Sequence, residues 1–145
     1  MKIKIVWVGK TKEQFLAEGI EKYLRFLAPM AQVCIAEIKE EKGKAREAAL
    51  KGEEAKILKQ TSDYYLLDER GRGFSSVGFA EFLLERDAVD FVIGGPYGVS
   101  EKVRERAKGL IALSKMTLTH EMARLLLMEQ LFRGHTILMG KEYHH

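Results

Sequence analysis

The sequence predicts a single α/β domain in which helices flank a mostly parallel β-sheet. Segments with strand periodicity alternate with helical segments along the chain, as they do in this fold class. Val89–Ile93 is almost entirely apolar, which is typical of a strand covered on both faces. The 145 residues include only two prolines and no linker-like tract, so one domain over residues 1–145 is expected.

The first third of the chain predicts a strand, a helix and a second strand. Lys2–Val8 alternates polar and β-branched residues and is predicted to be the first strand. Thr11 and Gln14 have the spacing of a capping box, which predicts a helix that starts there and ends before Pro29. Gln32–Ile38 is predicted to be the second strand.

The middle of the chain continues the alternation. Lys44–Gln60 is predicted to be a helix whose mixed charges form a solvated face. Asp63–Asp68 is predicted to be a strand that ends in a loop over Glu69–Gly73. Ser75 or Ser76 is expected to cap the short helix that follows.

The last third predicts two strands and two helices. The strand Val89–Ile93 runs into the glycine-rich loop, after which Ser100 is expected to cap a helix that ends near Lys108. Leu110–Leu113 is predicted to be a short fifth strand.

A long final helix is predicted from about Thr119 to Arg133, with Gly134 ending it in a left-handed conformation. Apolar residues occur almost all round this helix, so it must be covered on several sides. In so small a domain, a second subunit is expected to provide part of that cover.

Composition favours a cytoplasmic protein and leaves its partners open. Cys34 is the only cysteine, which excludes an intrachain disulfide and a cysteine-based metal cluster. No apolar run is long enough to cross a bilayer or to form a signal-peptide core, so neither a membrane nor a metal is expected. The formal net charge of +3 is compatible with a nucleic-acid partner without demanding one.

The glycine-rich loop Gly94–Gly98 is the most informative local motif. Glycines permit positive φ and let a ligand approach the backbone, while Pro96 stiffens the turn. Its spacing matches neither a dinucleotide-binding fingerprint nor a P-loop, and a tight turn without a ligand is the alternative. Because ligands of parallel sheets bind beyond the carboxyl ends of the strands, the loops after Asp68, Ile93 and Leu113 form the predicted site.

Four segments carry a family signature: Lys2–Gly9, Phe91–Gly98, Leu113–His120 and the tail Tyr143–His144. Together they closely resemble the bacterial RlmH family, over essentially the whole chain. Members of that family are SPOUT-class methyltransferases that act on N3 of a pseudouridine in large-subunit ribosomal RNA. The chain departs from the family pattern at Glu142, where proline is familiar, and at His145, where arginine or lysine is common.

The resemblance implies a trefoil-knotted α/β domain that forms a homodimer and binds S-adenosylmethionine in the knot. The implied substrate is ribosomal RNA, in the context of the assembled ribosome. The implied cofactor contacts come from backbone and apolar groups of three loops, at Leu67, Gly94, Leu113, Ser114, Lys115, Met116, Thr117 and Leu118. The strand pattern places the same three loops at the carboxyl edge of the sheet.

Two residues at the start of the last helix are candidates for contact with RNA. His120 and Arg124 are one helical turn apart, so their side chains share a face that could meet phosphate. For His120, a capping or packing role is the favoured alternative. Glu129 and Arg133 have the spacing of an ion pair that stabilises the helix.

The resemblance also assigns a substrate role to the tail residues Tyr143 and His144. Because N3 of pseudouridine must lose its proton, a residue that positions the base or handles that proton is useful there. A disordered tail is the alternative. At the level of the whole protein, the alternative to an RNA methyltransferase is a nucleotide-sensing or RNA-binding module without catalysis.

Overall fold

The computed structural model describes residues 1–145 and contains five strands and five helices. In chain order these are β1 Lys2–Val8, α1 Gln14–Leu27, β2 Gln32–Ile38, α2 Arg46–Gln60, β3 Tyr65–Gly73, α3 Ser76–Leu84, β4 Ala88–Ile93, α4 Glu101–Arg106, β5 Gly109–Ala112 and α5 His120–Leu138. None of these helices has the length and apolar character that a membrane span requires.

The five strands form one sheet in the order β2-β1-β4-β3-β5, and every neighbouring pair is parallel. The predicted fold class, an α/β domain with a parallel sheet, is therefore confirmed. Because β3 lies between β4 and β5, the loops that follow these three strands meet at one edge of the sheet. The trefoil knot implied by the resemblance stays a prediction.

The helices divide between the two faces of the sheet. Ile3, Ile5 and Trp7 of β1 point to one face, where α1, α3 and α5 cover them. The intervening residues Val6 and Val8 point to the other face, against α2 and α4. This alternation along β1 is the period-2 pattern of a strand, and both sets are buried because the sheet is covered on both sides.

The caps predicted at Ser75 and Ser100 are present, and Thr119 caps the last helix in the same way. The hydroxyls of Ser75, Ser100 and Thr119 each accept a hydrogen bond from the backbone N–H three residues later, at 3.0, 3.3 and 3.1 Å. Each interaction lies within one turn, so the local sequence is sufficient to specify it.

The capping box predicted for α1 is wrong. The helix starts at Gln14, and the side chain of its N-cap residue, Glu13, accepts no capping hydrogen bond. Instead, the Glu13 backbone N–H donates to the Glu121 carboxylate of α5 at 3.0 Å, and the Thr11 hydroxyl accepts from Arg124 at 2.9 Å. Residues of α5, which is distant in the sequence, therefore provide the hydrogen-bond partners at the start of α1.

The third strand is longer than predicted, because Glu69–Gly73 belongs to β3 rather than to a loop. Pairing between β3 and β5 nevertheless shifts register between Leu67 and Arg72. Gly71 lies so close to β5 that a Cβ there would approach the Leu110 carbonyl carbon to 2.4 Å. The residues between Leu67 and Arg72 are therefore outside the regular ladder with β5.

The last helix does not end at Gly134, as its sequence pattern suggested, but continues to Leu138. The residue with positive φ beyond that end is Gly140, at 66°. Gly134 lies against α3, where a Cβ would meet Leu83 at 3.0 Å and Ala80 at 3.6 Å. This glycine therefore permits close helix packing rather than helix termination.

Candidate active site

A cavity of about 530 Å³ opens at the carboxyl edge of the sheet. It lies between the middle of β3, the end of β4, the segment after β5 and the first turn of α5. Its volume is within the range of ligand pockets, roughly 300–1,000 Å³. The segments that directly follow Asp68, Ile93 and Leu113, where the site was predicted, all line this cavity, although the first of them belongs to β3 and not to a loop.

A second hollow, of about 710 Å³, lies at the opposite edge, where β1, β2 and β4 begin. Two of its polar side chains are paired within the protein. Asp90 accepts a hydrogen bond from the Thr61 hydroxyl at 2.7 Å, and the Lys4 ammonium donates to the Gln60 carbonyl. The carboxyl-edge cavity is therefore the better candidate, although it is smaller.

Seven of the eight residues predicted to contact the cofactor line the carboxyl-edge cavity: Leu67, Gly94, Leu113, Ser114, Met116, Thr117 and Leu118. The eighth, Lys115, is exposed and does not line it. Residues from three separate parts of the chain thus converge on one space. Leu67, Leu113 and Leu118 are all half-buried, so each keeps an apolar surface that a ligand can cover.

The glycine loop forms one wall of the cavity as a tight turn. The Gly98 backbone N–H donates to the Gly95 carbonyl at 3.0 Å, and Gly98 has a φ of 77°. Of the loop glycines, only Gly98 requires the left-handed conformation. Gly94 is glycine for a different reason, because a Cβ there would lie 2.7 Å from the backbone of Gly98.

The wall of the cavity that β3 forms carries charge that the sequence did not reveal. Asp68 lines the cavity with a side chain that is 10% exposed, and it accepts hydrogen bonds from Arg70 and Arg104. Burial by itself raises the pKa of Asp68, but hydrogen bonds from both arginines outweigh it and lower the pKa to about 2. Asp68 is therefore ionised at any physiological pH.

A second contact joins this wall to the segment after β5. The Thr117 hydroxyl donates to the Glu69 carboxylate, and the Ser114 hydroxyl accepts from the backbone N–H of Met116 at 2.9 Å. The sequence placed Glu69 directly after Asp68, in a segment predicted to line the site. The contacts of Asp68 with Arg104 and of Glu69 with Thr117 were not visible in the sequence, because these partners are 36 and 48 residues away.

We expect Asp68→Asn to lower the free energy of unfolding at neutral pH by about 2 kcal/mol, the equivalent of a pKa shift from 3.8 to about 2. Since the folded-state pKa is depressed, this stabilisation is present above the unfolded value and is lost as pH falls from about 4 to 2. Urea unfolding at several pH values should show this pH dependence in the wild type and not in the variant.

The matched control is Asp63→Asn, because Asp63 pairs with Lys108 through side chains that are both largely exposed. Ion pairs between exposed side chains contribute little to the free energy of unfolding. Equal losses of stability in the two variants would contradict the role given to Asp68.

His120 lines the cavity at the start of α5, with a half-buried imidazole. Burial lowers its pKa, and the positive charge of Arg124 lowers it further. The ring is therefore neutral at pH 7 and available for hydrogen bonding. Its position at the cavity leaves both sequence hypotheses open, a packing role and contact with the substrate.

The prediction that Arg124 contacts RNA phosphate is wrong. Its side chain is fully buried (0% exposed) and donates to the Val8 carbonyl at 2.7 Å. Its guanidinium also lies 4.8 Å from the centre of the Trp7 ring. Arg124 is directed at the end of β1 and holds α5 against the sheet, whereas His120, one turn earlier, lines the cavity.

The tail is ordered against α5 but does not reach the cavity of its own chain. The Tyr143 ring packs on Phe132 at 4.8 Å, and its hydroxyl lies 3.3 Å from Tyr23 and from Glu129. His144 lies 3.2 Å from Arg133, which forms the expected ion pair with Glu129 at 3.0 Å. Neither tail residue lines the cavity.

Comparison with known proteins identifies the family. Residues 1–144 match the family model described as a predicted SPOUT methyltransferase. The chain is 43% identical to the ribosomal RNA large subunit methyltransferase H of Geotalea daltonii, with both chains covered completely. It is 43% identical to the protein of that name from Thermodesulfovibrio yellowstonii, with 99% of each chain covered, and 41% identical to that of Geobacter sulfurreducens over both complete chains. The chain therefore belongs to the SPOUT methyltransferase family.

Proposed function

We propose that this protein transfers a methyl group from S-adenosylmethionine to N3 of a pseudouridine in large-subunit ribosomal RNA, in the cytoplasm and on the assembled ribosome. The observation that carries this proposal is the convergence of the glycine loop, residues Leu67–Arg70 of β3 and the segment Leu113–Leu118 on one cavity. Relatives with 41–43% identity over the full length, named as ribosomal RNA methyltransferases, support the same activity.

The cavity fits the chemistry of S-adenosylmethionine. Leu67, Leu113 and Leu118 offer apolar surface for the two faces of an adenine ring, and the backbone around Gly94 offers hydrogen-bonding groups for its edge. The bound cofactor would supply an electrophilic methyl group on its sulfonium sulfur. The chain's own contribution is to hold the acceptor base against that group and to exclude water.

The acceptor nitrogen must lose its proton as the methyl group is transferred. We place His120 among the residues that contact the substrate, since it is neutral and lines the cavity. Burial and a hydrogen bond with Tyr23 raise the pKa of Tyr143, so its phenol stays protonated. Once released from Glu129, its O–H could donate a hydrogen bond to the base. Tyr143 would thus position the base rather than accept its proton.

A role for the tail requires a homodimer, which we propose as the active form. Phe132, on which Tyr143 packs, is 12 residues along α5 from His120, which is roughly 18 Å at 1.5 Å per residue. Within one chain, the tail therefore lies too far from the cavity to contact a substrate bound there. A dimer would allow the tail of one protomer to reach the cavity of its partner.

The surface around the tail supports this assembly. The helices α1 and α5 pack against each other, but large apolar side chains remain exposed on them, namely Phe15, Phe26 and Met122. Phe26 belongs to an aromatic cluster with Tyr23 and Phe132, next to Tyr143. A two-fold interface would bury this surface, and two-fold dimers are the commonest oligomers.

Analytical ultracentrifugation at micromolar concentration should give twice the chain mass of 16.5 kDa. We expect Phe26→Asp to shift the protein toward monomer, because a buried unpaired carboxylate would oppose association. Leu84→Asp is the control, since Leu84 is 69% exposed at the end of α3. A wild-type monomer under these conditions would refute the dimer.

The activity is tested by incubating ribosomes that lack the modification with the protein and S-adenosylmethionine. Mass spectrometry of the digested ribosomal RNA should show one added methyl group on a pseudouridine. Calorimetry with S-adenosylmethionine and S-adenosylhomocysteine should show binding of both. Cofactor and RNA binding without any methylated nucleoside would favour the non-catalytic module instead.

A further inference from the structure

The tip of the glycine loop presents an aromatic ring outside the cavity. Pro96 and Tyr97 lie between Gly95 and Gly98, which are joined by the hydrogen bond that closes the turn. Pro96 and Gly98 line the cavity, whereas Tyr97 does not, and Tyr97 is 60% exposed. The proline ring restricts the backbone here, so Tyr97 is held beside the mouth of the cavity by a stiff turn.

An arginine lies against this ring. The guanidinium carbon of Arg46, the first residue of α2, is 5.4 Å from the centre of the Tyr97 ring. Arg46 is exposed and contacts this ring, and it forms no ion pair with a carboxylate. Lys42 precedes it in the chain and is also exposed, whereas Lys44 pairs with Glu41 at 3.3 Å. An aromatic plane and positive charge therefore face solvent together.

We propose that Tyr97 and Arg46 form a stacking patch for an unpaired RNA base next to the nucleotide that enters the cavity. Single-stranded RNA is recognised by stacking of splayed bases on aromatic rings and on guanidinium planes. Arg46 adds attraction for the neighbouring phosphate. The inference rests on the proposed function, because it assumes that ribosomal RNA is the substrate.

The location of the patch favours RNA over a second copy of this chain. The exposed apolar residues that suit a dimer lie on α1 and α5, on one face of the sheet. Arg46 belongs to α2, which packs on the other face. A substrate that inserts one base into the cavity between Gly94 and Leu113 must pass its flanking nucleotides along the mouth, where Tyr97 is exposed.

The test compares Tyr97→Ala with the matched control Tyr97→Phe, which keeps the ring. We expect Tyr97→Ala to lower kcat/KM for ribosomes by about tenfold, mainly through KM, as for loss of one base stack. Tyr97→Phe should stay within about twofold of the wild type, on the same grounds. The affinity for S-adenosylmethionine should be equal in all three proteins, because Tyr97 does not line the cavity.

Binding is measured separately, by cosedimentation with large ribosomal subunits in the presence of S-adenosylhomocysteine. Tyr97→Ala should weaken this binding about as much as it raises KM, and Arg46→Gln should weaken it and reduce its salt dependence. If the wild type binds but methylates nothing, the proposed function fails, while a weaker Tyr97→Ala complex would still support the patch.

Three results would overturn the inference. The first is a Tyr97→Ala protein that binds and methylates ribosomes like the wild type. The second is a loss of S-adenosylmethionine affinity in Tyr97→Ala, which would assign the ring to the cofactor. The third is weaker binding to ribosomal subunits with unchanged binding to the protein-free RNA, which would assign the patch to a ribosomal protein.

Discussion

Deletion of Glu142–His145 should lower the rate of methyl transfer to ribosomes by roughly a hundredfold or more while leaving the affinity for S-adenosylmethionine nearly unchanged. The tail residues do not line the cavity of their own chain, so cofactor binding has no direct need of them. The reaction would lose a group that positions the base or handles its proton. Single-turnover kinetics and calorimetry measure the two quantities independently.

Deletion of His145 alone is the matched control, because this residue is exposed and lies beyond the two that contact α5. The melting temperature shows whether loss of the Tyr143 contacts with Phe132 and Glu129 loosens the helix. A tail-deleted protein with full transfer activity would mean that the tail is not involved in catalysis.

Gly94→Val should lower the affinity for S-adenosylmethionine by roughly a hundredfold, the scale of overpacking against backbone. A Cβ at this position would lie 2.7 Å from the Gly98 backbone, so the turn must open and the wall of the cavity must move. Gly73→Val is the control, since nothing lies within 4 Å of a Cβ there and its φ is not positive. Unchanged affinity in a folded Gly94→Val protein would disprove the assignment of the cavity.

The two variants together test whether the tail acts across the dimer. A mixed dimer of one tail-deleted chain and one Gly94→Val chain would hold one site with an intact cavity and an intact partner tail. When equal amounts of the two variants exchange subunits at random, about half of the dimers are mixed, and each mixed dimer has one of two sites intact. The mixture should therefore show about a quarter of the wild-type activity. Mixtures that stay inactive would show that the tail serves its own chain.

The sequence was sufficient where an interaction lies within a few residues. The hydroxyls of Ser75, Ser100 and Thr119 cap helices through donors three positions later, and the ion pair of Glu129 with Arg133 spans one turn. The order of strand and helix patterns along the chain also predicted which segment follows each strand. Because parallel strands share one carboxyl edge, that pattern was enough to place the cavity.

Sequence patterns failed where two local structures compete and packing decides between them. Gly134 and Thr11 carried ordinary signals for a helix end and a helix start. In the folded chain, α3 approaches Gly134, and Glu121 takes over the role expected of Thr11. Neither outcome has a local cause, since the deciding residue lies on another helix.

By itself, the sequence determined the α/β class, the order of the elements, the edge at which the site forms and the family signature. Only the tertiary structure decided that Arg124 is buried under β1, that Asp68 joins Arg70 to Arg104, and that the tail packs far from the cavity of its own chain. The physical reason is the range of the interactions. Periodicity and caps act within a few residues, whereas burial and ion pairing depend on contacts between segments that meet only when the sheet has formed.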